Sequence, residues 1–194
     1  TQKAYIKPSN TRDNLRFGAS VALDSTGSAL VAGAPNEDSA ATGINGSQSS
    51  AGVVDSGAAY FFTRNNVGVW SQQAYIKPSN TRMSFGFGGS VALANDGKTM
   101  AIGASGENGA ATGINGNQSL IGQADNGAVY LFTRNNAGLW LQQAYIKASN
   151  TPQATDQANS GSEFGTQVAL SGDGKTLAVG APWQDSDNPA VAFN

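Results

Sequence analysis

The chain has 194 residues, of which 12% are charged and 39% hydrophobic, with a formal net charge of −2 and a pI of about 4.9. This balance argues against nucleic-acid binding, because phosphate contacts need a surplus of lysine and arginine. There is no cysteine and no histidine, so disulfides are excluded and zinc, copper and haem lack their usual ligands. No apolar run is long enough to cross a membrane, and we predict no membrane span.

The first predicted strand covers residues 2–7. Four more follow, at 17–23, 29–34, 58–63 and 70–77, each rich in valine, alanine, isoleucine or aromatic residues and free of internal proline. Short glycine-containing turns join the first of these four to the second and the third to the fourth. The other connections are long. Because alternate connections of an up-and-down sheet lie on opposite faces, we expect the long loops to share one face, where binding sites usually lie.

This order of strands repeats along the chain. The block Gln2-Lys3-Ala4-Tyr5-Ile6-Lys7 returns at 72–77 and 142–147 with glutamine in place of Lys3, and Phe17-Gly18 returns at Phe87 and Phe164. Four short strands per repeat are typical of a propeller blade. We therefore predict an all-β fold of β-propeller blades, each of four antiparallel strands, with about three blades in a single domain over 1–194. The blades lie at about 17–77, 87–147 and 164–193, and strand 2–7 stands apart from them.

The predicted ring is incomplete. The third blade ends in a predicted third strand at 190–193 and has no fourth strand of its own, whereas strand 2–7 has no blade. Propellers have about 4–8 blades, so three do not close a ring. Either the chain is an excerpt of a longer propeller, or copies self-associate by lending the first strand to a neighbour.

Two repeated segments resemble the FG-GAP repeat of integrin α-subunits, most closely in bacterial secreted or surface proteins. They are Phe17-Gly18-Ala19-Ser20-Val21 and Gly33-Ala34-Pro35. The resemblance covers most of the chain and implies a propeller with adhesive or ligand-binding roles, extracellular or on a bacterial cell surface. Family members often hold calcium in an acidic loop between the first two strands. Here that loop is a tight turn, so the family's calcium site is not expected at this position.

Oxygen ligands for a different calcium site gather in the long loops. Calcium takes six to eight such ligands. The alternative is that these residues make turns and cap loop amides. The candidates are Glu37, Asp38, Asn45 and Asp55 in the first repeat, and Glu107, Asn115 and Asp125 in the second.

Three further residues are candidates for ligand contact. Trp183 lies in a variable loop on the long-loop face, and Arg12 and Arg82 could hold an anionic ligand or a partner's carboxylate. The alternatives are packing for the tryptophan and solvation or local pairing for the arginines. Trp70 and Trp140 occupy a repeated position, which favours packing between blades.

No catalytic set can be assembled from a sequence without histidine or a recognisable nucleophile motif. We therefore predict a non-catalytic module for adhesion or assembly, with a protein or glycan as its ligand. The alternative is a carbohydrate-binding lectin. A lower alternative is a propeller glycosidase or lyase that uses paired carboxylates.

Overall fold

The computed structural model describes residues 1–49, 52–151 and 161–184. These residues form ten strands in three antiparallel sheets, which confirms the predicted all-β class and the four-stranded sheets. No helix in these ranges is long and apolar enough to cross a membrane. The strands are β1 (Ser20–Leu23), β2 (Ala29–Ala34), β3 (Ala58–Arg64), β4 (Trp70–Ile76), β5 (Ser90–Leu93), β6 (Thr99–Ala104), β7 (Ala128–Arg134), β8 (Trp140–Ile146), β9 (Gln167–Leu170) and β10 (Leu177–Gly180).

Each sheet follows the order of the chain. The first is β1-β2-β3-β4, the second is β5-β6-β7-β8, and β9 pairs with β10 in the third. The turn between β1 and β2 is stabilised by Asp24, whose Oδ1 accepts the backbone N–H groups of Ser28 at 2.8 Å and Ala29 at 3.0 Å. Gly27 closes this turn with φ +65°, a left-handed conformation in which glycine has no steric penalty.

The three sheets pack side by side, with β1 next to β5 and β5 next to β9. Between the first two sheets, aromatic and aliphatic side chains such as Phe61 and Met100 form one buried cluster. The backbones approach closely at Gly33, where a Cβ atom would lie 1.9 Å from the carbonyl oxygen of Gly88. The Ser20 hydroxyl donates to that same carbonyl at 2.8 Å. The repeated glycine is therefore required by the spacing of adjacent sheets.

Two predicted strands differ from the structure. Residues 17–19 are not part of β1, because Gly18 has φ +83° and the Ala19 N–H bonds back to the Arg16 carbonyl, which makes a turn. Residues 2–7 form no strand. A fourth strand needs a free third-strand edge, and β3 and β7 are already paired on both sides. The strand predicted at 190–193 lies outside the described residues.

Candidate functional site on the long-loop face

The long connections meet on one face of the molecule. The linker that precedes β1 contacts the loop between β2 and β3: the Ser9 hydroxyl donates to Gln48 Oε1 at 2.6 Å, and Arg12 Nη2 donates to the Gln48 carbonyl at 3.0 Å. The second repeat reproduces both contacts, with Arg82 3.5 Å from the Gln118 carbonyl. Both arginines are half-buried. Arg12 and Arg82 therefore each connect the linker before a sheet to a long loop by a side-chain hydrogen bond to the loop backbone.

A cavity of about 460 Å³ opens on this face where the inner ends of the three sheets converge. We call it the axial cavity. Its described lining is mostly polar, has one guanidinium and one carboxylate, and contains no aromatic ring. It is lined by Arg16, Ala19, Pro35, Asn36, Asp55, Ser84, Gly86, Gly89, Ser105, Gly165, Thr166 and Gln167.

Charged side chains stand at left-handed backbone positions in and beside this cavity. Arg16 has φ +52° and Asp55 has φ +54°. The position of Arg16 is taken by Gly86 (φ +60°) in the second repeat and by Glu163 (φ +50°) in the third. A side chain in this conformation costs about 1 kcal/mol that glycine does not. The backbone here favours glycine, so the requirements of the fold do not explain the arginine.

Beneath the loops lies a buried ion pair in each complete repeat. Lys77 Nζ is 3.0 Å from Glu37 Oε2, and both side chains are fully buried. Glu37 also accepts the Tyr75 hydroxyl at 2.9 Å and the Asn10 amide at 3.1 Å. Burial lowers the pKa of Lys77 from its ordinary value, although the Glu37 carboxylate opposes that change.

The second repeat has the equivalent pair, Lys147 and Glu107, at 2.6 Å. Here Asn80, in the linker that leaves the first sheet, donates to Glu107 at 3.3 Å and accepts the Tyr130 hydroxyl at 2.7 Å. Burial is the first cause that raises the pKa of Tyr130, followed by the nearby Glu107 charge. The network therefore joins one sheet to the next and is structural.

The candidate calcium ligands make several contacts within the protein. Glu37 and Glu107 are neutralised by buried lysines. Asn45 Oδ1 accepts the Tyr75 N–H at 2.9 Å, and Asp38 Oδ1 accepts the Asp55 N–H at 2.9 Å. In the second repeat, Asn115 accepts the Tyr145 N–H, and Asp125 holds a left-handed turn with φ +59°.

No group of three or more acidic, histidine or cysteine side chains within the described ranges is placed to hold a metal ion. The calcium site itself, which also includes Asn45 and Asn115, stays a prediction.

The tryptophans fall into two classes. Trp140 is 3% exposed and packs edge-on against Phe61, with ring centroids 5.0 Å apart, as expected for packing between blades. Trp70, in the first sheet, is half-buried beneath Arg64. Trp183 is 63% exposed and does not line the axial cavity. The structure therefore does not bring Trp183 together with the axial residues.

The FG-GAP repeat model matches residues 70–132 and 140–191, which is more than half of the chain. The chain belongs to the FG-GAP repeat family. Its two matched segments each begin at a fourth strand and continue into the following blade. No curated protein matches the chain.

Sequence reasoning missed Arg16 and the axial cavity. The candidates predicted from the sequence lie in the long loops, whereas Arg16 lies just before β1, at a position where the repeats differ. The sequence does carry a signal for this site. The residue just before the repeated Phe-Gly pair differs in charge between the three repeats, as Arg16, Gly86 and Glu163.

Proposed function

We propose that this FG-GAP module is a non-catalytic binding protein that receives a polar segment of a protein or glycan ligand in the axial cavity. The observation that carries the proposal is Arg16, a charged residue at a glycine-favouring backbone position that lines a cavity shared by three repeats. Strain of this kind clusters where a side chain is needed for function.

The shape and chemistry of the cavity support binding. Its volume of about 460 Å³ lies in the range of ligand sites. Arg16 and Asp55 offer opposite charges, and the Ser84 and Thr166 hydroxyls and the Asn36 amide add hydrogen-bonding groups. A ligand with both donors and acceptors fits this lining better than an apolar one.

The same lining supports a role without catalysis. A glycosidase of the usual kind needs two carboxyl groups about 5–10 Å apart. Asp55 is the single carboxylate among the described residues of the cavity. We therefore favour binding over hydrolysis or lyase chemistry.

Carbohydrate binding by an exposed aromatic ring is the second candidate, because Trp183 is 63% exposed on a loop. Aromatic faces stack on apolar faces of ligands and bring a large contact area. FG-GAP repeats are typical of extracellular proteins, and we propose an extracellular or cell-surface location for either role.

The test compares the chain with Arg16→Gly and Trp183→Ala on peptide and glycan arrays. Arg16→Gly installs the residue that the second repeat carries, so the fold should be retained and slightly stabilised. Our proposal predicts saturable binding of an array probe that weakens at least tenfold in Arg16→Gly and is unchanged in Trp183→Ala. The reverse pattern would favour the lectin. Absence of saturable binding to either array would overturn both.

A further inference from the structure

The two complete repeats differ beside their buried ion pairs. In the first repeat the Ser56 hydroxyl accepts Lys77 Nζ at 2.7 Å and lies 3.1 Å from the Ser39 carbonyl oxygen. Ser56 stands two residues before β3, and Asn126 stands at the same position before β7. The ion pair of the second repeat therefore has a carboxamide where that of the first has a hydroxyl.

The Asn126 side chain makes the contact that corresponds to that of Ser56. Its Nδ2 donates to the Gly109 carbonyl at 3.1 Å, and Gly109 is the counterpart of Ser39. A Cβ on Gly109 would lie 2.5 Å from the Tyr145 hydroxyl oxygen, so the second repeat has no room for a serine there. By this correspondence, the carboxamide of Asn126 takes the place of the hydroxyl that contacts the lysine ammonium in the first repeat.

The side chains around this carboxamide form a buried set with a nucleophile and a base. Lys147, Glu107 and Asn126 are 3%, 0% and 1% exposed. Lys147 Nζ donates to Glu107 Oε2 at 2.6 Å, so a carboxylate is in direct contact with the amine. Burial is the first cause that lowers the pKa of Lys147, and the Glu107 charge opposes it. A desolvated lysine with a base beside it is an activated nucleophile.

We propose that Lys147 and Asn126 react with each other and are joined by an amide bond between their side chains. Glu107 takes a proton from the ammonium, and the lone pair of Nζ attacks Cγ of Asn126. Glu107 passes that proton to Nδ2, the Cγ–Nδ2 bond breaks, and ammonia leaves. Glu107 keeps a second proton from Nζ. Two buried charges are thereby replaced by a neutral amide and a neutral carboxyl group, which removes the penalty for burying an ion pair.

A second carboxamide, that of Asn80, also contacts this ion pair. Its Nδ2 donates to Glu107 Oε1 at 3.3 Å, whereas Lys147 contacts the other carboxylate oxygen. The first repeat has an equivalent asparagine, Asn10, whose amide donates to its own glutamate at 3.1 Å. Of these two repeats, only the second has an asparagine at the position of Asn126. The first repeat is therefore an internal control, and the inference does not depend on a ligand in the axial cavity.

The test is the intact mass of the purified natural chain, followed by tryptic mapping. We expect the chain to be lighter than its sequence by one ammonia molecule. Trypsin does not cleave after an acylated lysine, so cleavage after Lys147 should be lost. The peptides that contain Lys147 and Asn126 should remain joined after cleavage at Arg134, while the peptide that contains Lys77 should have its sequence mass. The matched variant is Asn126→Ser, which installs the residue of the first repeat and should restore the full mass.

Several outcomes would overturn the proposal, the first being the full sequence mass with normal cleavage after Lys147 in the natural chain. Loss of ammonia with Lys147 still cleaved would also overturn it. That result would indicate cyclisation of Asn126 onto the Gly127 nitrogen, which already donates to the Glu107 carbonyl at 2.7 Å. A link from Lys147 to Asn80 would overturn the choice of Asn126.

The variant Glu107→Gln tests the base. We expect it to keep the full sequence mass and to be cleaved normally after Lys147, because glutamine cannot take the proton from the ammonium. Circular dichroism of both variants checks that they retain their β-sheet content. A complete link in Glu107→Gln would overturn the role of Glu107 in the reaction.

Discussion

Replacing Glu37 with glutamine removes the charge that neutralises Lys77 inside the first repeat. The ammonium and carboxylate are 3.0 Å apart, and both side chains are fully buried. Breaking such a pair leaves a buried charge without its partner, which typically costs about 3–5 kcal/mol. For a chain of this size, each kcal/mol lowers the melting temperature by roughly 2–4 °C, so we expect a fall of roughly 6–20 °C.

The pH dependence distinguishes this mechanism from simple loss of packing. Burial already lowers the pKa of Lys77, and Glu37 is the first cause that raises it again. Without Glu37 the folded-state pKa falls further below the unfolded value. The destabilisation is then fully present below the folded pKa and disappears as the pH rises toward the unfolded pKa of about 10.4.

Urea unfolding followed by circular dichroism at pH 7 and 9.5 measures both effects. The control is the double variant Glu37→Gln/Lys77→Met, which removes the buried charge and should recover most of the lost stability at pH 7. The reasoning is refuted if Glu37→Gln costs less than about 1 kcal/mol, or if the double variant is no more stable than the single one.

Three further predictions concern the packing of the sheets. Leu93→Ala should reduce the free energy of unfolding by about 2–5 kcal/mol, and Leu23→Ala by less than about 0.5 kcal/mol, because only Leu93 is buried between sheets; equal losses in denaturant titrations would contradict the assigned interface. Gly33→Ala should destabilise the chain strongly, since its Cβ would meet the Gly88 carbonyl at 1.9 Å, and an unchanged melting temperature would exclude that close approach. Burial raises the pKa of Tyr60, so its phenolate absorbance at high pH should appear only as the chain unfolds, and ionisation before the loss of circular dichroism would refute its placement.

The repeated strands could be predicted within a few residues because their signals are local. Alternating apolar residues, glycine turns and recurrence between repeats all lie within one segment of sequence. Residues 2–7 show the limit of this reasoning. Their sequence closely resembles those of β4 and β8. A strand forms only beside a partner strand, however, and sequence similarity does not show whether a free sheet edge is present.

The candidate site was less predictable. The sequence predicts Glu37 as a calcium ligand, because an acid beside polar loop residues is typical of hard-cation ligands. In the structure Glu37 pairs with Lys77, which is distant in sequence and lies within the strand predicted at 70–77. Side-chain pairing across a sheet decides the role of such an acid, and composition alone does not reveal that pairing.

The contact between Gly33 and Gly88 has a consequence for how such chains grow. It recurs as Gly103 against Gly165, with Ser90 in place of Ser20, so the second repeat carries both halves of this contact. A repeat copied within the gene brings its own donor, acceptor and glycine, and it fits between its neighbours without any change in them. Each added copy then contributes its own folding free energy and that of one further interface between neighbouring sheets. The number of repeats can therefore change by duplication, while the residues that line the axial cavity can still differ from one repeat to the next.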